Sequence, residues 1–479
     1  MSNFLGIDLG ASALKACLID ESGTSLSVAR AAYDTHQPAP GHSEQNPADW
    51  RAAMHGALAD LRAQNGDALD NIAAISFSGG AHIAVLCDSA GSVLRPAIMW
   101  NDQRAVAQAA ELAAQGKVEA LSGNAPNATW TLPQLIWLAT HEADIIAAAE
   151  KFYFAKDWLA AQLTGAHKSD ASEAVGSLMA DRNGTWHDTL TAMSGIAPAA
   201  FPELLASGAK IGVVNDKAAT EFGLPCVPVY QGAIDTSMEW LCVAPLEANS
   251  ATVKLASAGV ISLATAQDTR FPPVSYYPHI IGGLGYHAAG MSDCMGAIEF
   301  ARRQFTPKLD AQAFEKAAVN TAIGAEGVMF YPYLSGARAP FWQADLRAEM
   351  HGLTRAHTAN HMARAAYEGV GHVLTAIWHD MNDKLGQCAK TLHVLGGGGQ
   401  SDFFCQMLAD MLNVEIKRGA ETDCAFATAL FAAAVHIGAE PRQMALQAYQ
   451  SQGIFTPDKN AHQVYASFHE SFMARHRAA

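Results

Sequence analysis

The chain has 479 residues, 50% hydrophobic and 16% charged, an ordinary globular composition with room for two large domains or three smaller ones. Its formal charge of −15 argues against a nonspecific nucleic-acid binder or a membrane-surface protein, because either normally carries a basic face. A small anionic ligand stays open, since it needs only a local cluster of donors. Eight cysteines run from Cys17 to Cys424 without CxxC spacing. They read as buried, reduced thiols of a cytoplasmic protein rather than as disulfides or a zinc site. No basic region precedes an apolar run at the start, and no stretch approaches about 18 uncharged apolar residues, so neither a secretory signal nor a transmembrane helix is expected.

In chain order, FLGID and ALKACLID around a Gly-Ala-Ser turn predict a hairpin, and GTSLSVARAAY a third strand. Trp50, Met54, Leu58 and Leu61 are spaced for one buried face of a helix from Pro47 to Arg62. ISFSGGAHIAVLCDSAGSVLRPAIMWND predicts strand, glycine turn, strand, Asp-Ser-Ala-Gly turn and a short strand ending at Trp100. Residues 103 to 163 read as mostly helical. VPVYQGAIDTSMEWLCV returns to a strand that stops at a glycine-aspartate turn, and ATVKLASAGVISLAT alternates like a hairpin. These two segments repeat the opening plan, which places a domain boundary near residue 245 and domains over 1–245 and 246–479. TLHVLGGGGQSDFFCQMLADMLNVEI predicts a strand, four glycines, a Ser401 N-cap and a helix with Phe404, Leu408, Met411 and Leu412 inward.

Two acidic turns and a polyglycine turn point to a bound nucleotide. A carboxylate such as Asp8 repels a triphosphate directly, so its use beside phosphate is to hold Mg2+, usually through the metal's water shell. The N–H groups of Gly10, Ala11 and Ser12 can face phosphate oxygens as a nest, with Lys15 lending charge from outside the loop. Taken alone, DLGAS also reads as a plain hairpin turn. Gly396 to Gly399, between a strand and a helix, let a ligand approach the backbone, or serve as a flexible connection. The pattern is neither GxGxxG nor GxxxxGK[ST], so Rossmann and P-loop readings have little support. Asp235 stands where a general base can reach a substrate hydroxyl, or where an N-cap opens the helix TSMEWL. His82, Asp102 and Arg104 can line a polyol pocket, where each hydroxyl needs a donor or acceptor. His357 and His361 lack the glutamate of HExxH and read as a solvated first helical turn. Met362, Ala366, Val370, Val373 and Ile377 have the spacing of a buried helix face.

The segment AEMHGLTRAHTANHMARAAYE, residues 348 to 368, resembles the second signature of the FGGY carbohydrate kinases along its full length, and TWTLPQLIWLATHE resembles the first, with Gln134 and Thr129 atypical. The start, ISFSGGAHIAVLCDSAGSVLRPAIMWNDQR, FAKDWLAAQLTG, YPYLSGARAPFW and LGGGGQSDFFCQMLADML look in order and spacing like the xylulokinases of that family. The resemblance implies an α/β protein of two ribonuclease H-like domains, of the actin and hexokinase type, around an ATP cleft. It implies phosphoryl transfer from ATP, with Mg2+, to a sugar hydroxyl, most directly that of D-xylulose, in a family where homodimers are common.

By the same resemblance Asp235 falls on the catalytic base, Asp8 on the acid of the first phosphate loop, and Ala81 and His82 on the sugar-contacting pair. Ser257, Ala258 and Gly259 fall on the phosphate turn, and Gly397, Gly398 and Gly399, with Ser401 beside them, on the adenosine loop. The departures cluster near the sugar: SGGAHI replaces SGQMHG, and Asp235-Thr236 replaces an Asp-Asn pair. A kinase for ribulose, fuculose or glycerol, or a sugar- or ATP-binding protein that has lost transfer, therefore remains an alternative.

Overall fold

The computed structural model describes residues 2–244, 246–343, 345–386 and 389–476, without the side chain of His476. The chain divides into two units. The first comprises Met1–Leu246, Ser275–Gly285 and Glu421–Tyr449; the second comprises Glu247–Val274, Tyr286–Ala420 and Gln450–Ala479. The division is therefore not the single cut expected near 245, a point where Pro245 lies outside the described residues. Two later segments fold into the first unit.

The first unit is built on strands β1 (Asn3–Leu9), β2 (Ala13–Ile19), β3 (Ser25–Ala32), β4 (Ile72–Gly79), β5 (Lys210–Val213) and β6 (Pro228–Tyr230). Their order across the sheet is β5-β6-β4-β1-β2-β3. The expected hairpin and third strand make an antiparallel β1-β2-β3 meander, while β4 and β6 run parallel to β1. The first helix, Pro47–Asn65, is capped by the Asn46 side chain and buries Trp50, Met54, Leu58 and Leu61 against this sheet. The apolar helix Cys424–Ile437, placed by sequence in the second half, covers β1 and β4 instead. Its approach requires Gly6, where an added Cβ would sit 2.1 Å from the Ala425 carbonyl oxygen. No side chain fits between strand and helix there.

Two expectations take a local adjustment. The helical stretch 103–163 is interrupted by the strand Lys151–Phe154, which pairs antiparallel with Ala84–Cys87 before the helix Ala155–Thr164 begins. The run KFYF has no helical period to distinguish the two states, and its aromatics favour a pleated surface. The short strand expected to reach Trp100 spans only Ala97–Ile98, leaving the indole exposed.

The second unit repeats the plan with β7 (Ala251–Leu255), β8 (Gly259–Thr265), β9 (Gly285–Met291), β10 (Thr391–Leu395), β11 (Glu415–Gly419) and β12 (Ser451–Phe455). They lie in the order β9-β8-β7-β10-β11-β12, with β8 antiparallel and β10 parallel to β7. Each unit thus joins a hairpin to parallel strands and closes on an antiparallel edge, β5 in one and β12 in the other. This duplicated α/β sheet is the fold class that the resemblance implies.

The helix Ala359–Leu385 runs through the core of the second unit, burying Ala366, Val370, Val373 and Ile377 with Met362 at the margin. His361 closes a capping box with Thr358, and His357 accepts the Thr354 N–H at 2.9 Å. They are cap residues, and no cluster of three or more metal-ligating side chains occurs among the described residues.

The same helix packs His372 and His379 against His469 of the C-terminal helix, with ring centroids 5.5 and 5.8 Å from His469. Burial lowers the pKa of His372 to about 3 and that of His469 to about 4. The unfolded chain takes up these protons near pH 6.5, before the folded form does, so stability is present above that pH and lost as it falls toward 4. Each ring contributes on the order of 1–2 kcal/mol of loss at pH 5. Thermal melts of His372→Phe are expected to show a smaller drop between pH 7.5 and 5 than those of the parent chain; an equal drop would remove His372 from the account.

Candidate active site

The C-terminal ends of parallel strands are where open α/β sheets collect ligands. In the first unit these ends carry Asp8 on β1 and Ser78 on β4, which are register partners, and Gly79 pairs onward with Ile234. Asp235 follows as the first residue of the helical turn Asp235–Met238. Its predecessor Ile234 is the cap, accepting the N–H groups of Ser237 and Met238 at 3.0 Å through its carbonyl. The N-cap reading of Asp235 is thereby corrected. The Asp235 carboxylate is half-buried and accepts the Thr236 N–H at 2.7 Å. Close passage of this segment along β4 requires Gly232, where a Cβ would lie 1.9 Å from the Phe77 carbonyl oxygen.

A polar cluster ties the two aspartates to one framework. Ser78 donates its hydroxyl to Asp8 Oδ1 at 2.8 Å, and Thr428 Oγ1 approaches Ser78 Oγ at 2.8 Å. Cys424 Sγ lies 3.3 Å from Ser78 Oγ and 3.6 Å from the Asp235 carbonyl. Burial first, then the negative charges of Asp8, Glu239 and Asp235, push this thiol well above its usual range. It stays protonated and can donate. Ser78, Cys424 and Thr428 were not legible as site residues, although Ser78 lies inside the quoted ISFSGGAHI.

The first turn is more committed than expected. The Gly10 N–H closes the turn on the Ala13 carbonyl at 3.1 Å, so it cannot also serve a phosphate, whereas Ala11 and Ser12 are exposed. Gln45 holds the Ala11 carbonyl at 2.8 Å. Lys15 pairs with Asp423, the residue that caps helix Cys424–Ile437. That contact ties its ammonium to the helix junction.

His82 is buried with a left-handed φ of 49°, its ring 5.0 Å from that of Trp130. Trp130 in turn stacks on Tyr277 at 5.9 Å. Ala81 beside it is half-buried. Asp102 and Arg104 do not offer free valences. Asp102 accepts the Ser43 N–H at 2.5 Å and three Arg104 bonds at 2.8 to 2.9 Å, and Arg104 also reaches Glu44 at 2.8 Å. They organise the loop instead of lining an open polyol pocket.

In the second unit the ends of β7 and β10 hold the other two loops. The Ala256–Gly259 turn is pinned by the N–H groups of Cys294 and Gly296 to the Ser257 carbonyl at 2.7 and 3.2 Å. Ser257 itself is exposed and Ala258 half-buried. The glycines of 396–399 have separate reasons. A Cβ would meet Leu255 O at 2.8 Å from Gly396, Met295 Sδ at 2.6 Å from Gly398 and Val394 Cγ2 at 2.8 Å from Gly399. Only at Gly397, of these four, does the space stand open. Ser401 caps the following helix by accepting the Phe404 N–H at 3.0 Å, so its hydroxyl is used there. Of the described cysteines, all are free and only Cys226 is exposed; Cys388 lies outside the described residues.

A divalent cation fits the donor set in one way. Asp8 would be a single acidic ligand, and the described residues contain no group of three or more acidic, His or Cys side chains placed to hold a metal ion, a donor set that suits an ion that keeps water and substrate oxygens in its shell, as Mg2+ does.

Comparison with known proteins places this geometry in a class. Residues 3–242 match the N-terminal domain, and residues 258–437 the C-terminal domain, of the FGGY family of carbohydrate kinases. The chain belongs to that family and is a carbohydrate kinase, with a sugar and ATP as substrates. It is 30% identical over 412 residues to the xylulose kinase of Escherichia coli strain K12, covering 85% of this chain and 84% of that one. A crystal structure described as a xyloylose kinase from Brucella ovis superposes with a TM-score of 0.92 at 30% identity, over 99% of both chains. A gluconokinase of Bacillus subtilis is also similar, at 25% identity over 87% of this chain and 84% of that one. No helix among the described residues is long and apolar enough to cross a membrane.

Proposed function

We propose that the chain phosphorylates a neutral ketopentose, D-xylulose first among them, with Asp235 as general base, in the reducing cytoplasm that its free thiols suit. The observation that supports this most is the placement of Asp235 and Asp8 at adjacent strand ends on one polar framework. A sugar hydroxyl is too weak an acid to ionise first, so Asp235 accepts its proton as the phosphoryl group departs from ATP. His82 holds the sugar beside it. Asp8 would hold Mg2+, which supplies charge neutralisation at the phosphates. On the ATP side, Ala11 and Ser12, the Ser257–Gly259 turn and open Gly397 are the assigned contacts. Gly10, Lys15, Gly398, Gly399 and Ser401 act by shaping their loops.

The choice of a neutral sugar over a sugar acid rests on Arg104. The guanidinium that sequence places near this loop is bound to Asp102 and Glu44 and is closed to a carboxylate substrate. A Cβ at Gly80 would meet nothing nearer than Ile83 Cδ1 at 3.5 Å, ordinary contact. Glycine is not demanded by the backbone there and leaves space. D-xylulose, D-ribulose, L-fuculose, glycerol and gluconate compared in a coupled ADP assay are expected to give D-xylulose the highest kcat/KM. Gluconate or glycerol in first place would overturn the assignment.

A further inference from the structure

The helix Ala155–Thr164 and the short helix Ala171–Gly176 enclose a charge cluster that none of the roles above uses. Lys156 Nζ donates to Asp157 Oδ1 at 2.6 Å and to Asp170 Oδ2 at 2.5 Å, and lies 3.9 Å from Glu173 Oε1. All four side chains are at most 2% exposed. Gln231 Nε2 joins them, 2.9 Å from Asp157 and 3.2 Å from Asp170. Burying one ammonium with three carboxylates is expensive and is no route to stability by itself, since a hydrophobic replacement is often as stable. A reason has to be sought in what the cluster holds.

It holds two backbone amides. Glu173 Oε2 accepts the His82 N–H at 2.5 Å. Asp170 Oδ1 accepts the N–H of Ser172, at 2.8 Å, and its hydroxyl, and that hydroxyl oxygen accepts the Ile234 N–H at 3.1 Å. The first amide belongs to the residue with positive φ in the sugar loop, and the second to the cap of the turn that opens with Asp235. His82 has little freedom to shift, because Gly176 of the same short helix leaves its ring only the width of a missing Cβ, 2.7 Å from Cδ2.

We infer that the buried Lys156–Asp157–Asp170–Glu173 cluster is a positioning device with two arms, Glu173 setting the sugar loop at His82 and Ser172 setting the base turn at Ile234. The assignment of arms rests on the reading of His82 and Asp235 given above. Since His82 binds substrate and transition state alike, loss of the Glu173 arm falls on KM. Since Asp235 acts in the transition state, loss of the Ser172 arm falls on kcat.

Glu173→Ala is expected to raise the sugar KM roughly tenfold and Ser172→Ala to lower kcat roughly tenfold, each with the other constant within about threefold, the size of one strong hydrogen bond. Glu173→Gln, which keeps an acceptor for His82, is expected to stay close to the parent KM. If Glu173→Ala does not fold, Glu173→Asp, too short to reach the amide, replaces it. Hydrogen exchange read over residues 80–84 and 232–238 should quicken in the Glu173 and Ser172 variants respectively. Unchanged exchange in both segments, or equal losses of kcat and KM in all variants including Glu173→Gln, overturns the inference. Asp235→Asn in the same assay separates the two questions: full activity there sinks the assignment of the base, while exchange still decides the positioning arms.

Discussion

Asp235→Asn is expected to lower kcat by about 10²–10⁴, the usual contribution of a general base, with the sugar KM nearly unchanged. The substitution is close to isosteric, and the asparagine oxygen can still accept the Thr236 N–H that Asp235 accepts at 2.7 Å. The Asp235–Met238 turn is held through Ile234, whose carbonyl caps it and whose N–H is bound to Ser172. None of these bonds needs the lost charge, so the loss should be in proton acceptance rather than folding. The measurement is steady-state kinetics with the best sugar of the panel, alongside circular dichroism to verify the fold. A variant turning over within about threefold of the parent would be too active for this role, and Asp235 would then be a structural residue of the turn.

The two sheets were legible because their hairpins alternate and their turns use small residues. The first strand, FLGIDL, shows it well: the pattern gives the strand, and its parallel pairing to β4 then places Asp8 beside Ser78. What sequence could not show is which polar groups are already spent. Lys15 and Arg104 look like available cations in one dimension, yet Lys15 pairs with Asp423, 408 positions away, and Arg104 binds Glu44 as well as its near neighbour Asp102. The same limit applies to GGGG at 396–399. Strand, loop and helix are readable there, but the atoms that forbid a side chain, on Leu255 and Met295, come from other elements.

The helix Cys424–Ile437 shows a further limit. Its composition predicts burial without saying against which sheet, and it is the shape of Gly6 that receives it. Cys424 and Thr428 thereby reach Ser78 from about 350 residues along the chain, as their separations of 346 and 350 record. The polar framework of the site is thus a tertiary product, invisible to any local motif.

The charge cluster sets the last expected result: Lys156→Met should cost about 3–5 kcal/mol at pH 8, the range for breaking a buried ion pair from one side. Burial, together with the neighbouring carboxylates, already raises Asp157 and Glu173 above their ordinary values, against the pull of Lys156. Removing the ammonium deletes that pull. Their folded pKa values then rise further above the unfolded values of about 4, so the folded variant binds more protons than the unfolded chain at neutral pH. Stability of the variant relative to the parent is therefore best at low pH and is lost as the pH rises through the folded pKa values. Urea denaturation at pH 5.5 and pH 8 should show a clearly smaller stability deficit at the lower pH, and protein purified at pH 5.5 can be shifted upward if it does not fold at 8. A deficit below about 1 kcal/mol at both values, the level of a surface ion pair, would mean that water or protonation already neutralises the cluster in the parent. The carboxylates would then hold the His82 amide, and through Ser172 the Ile234 amide, without any help from Lys156.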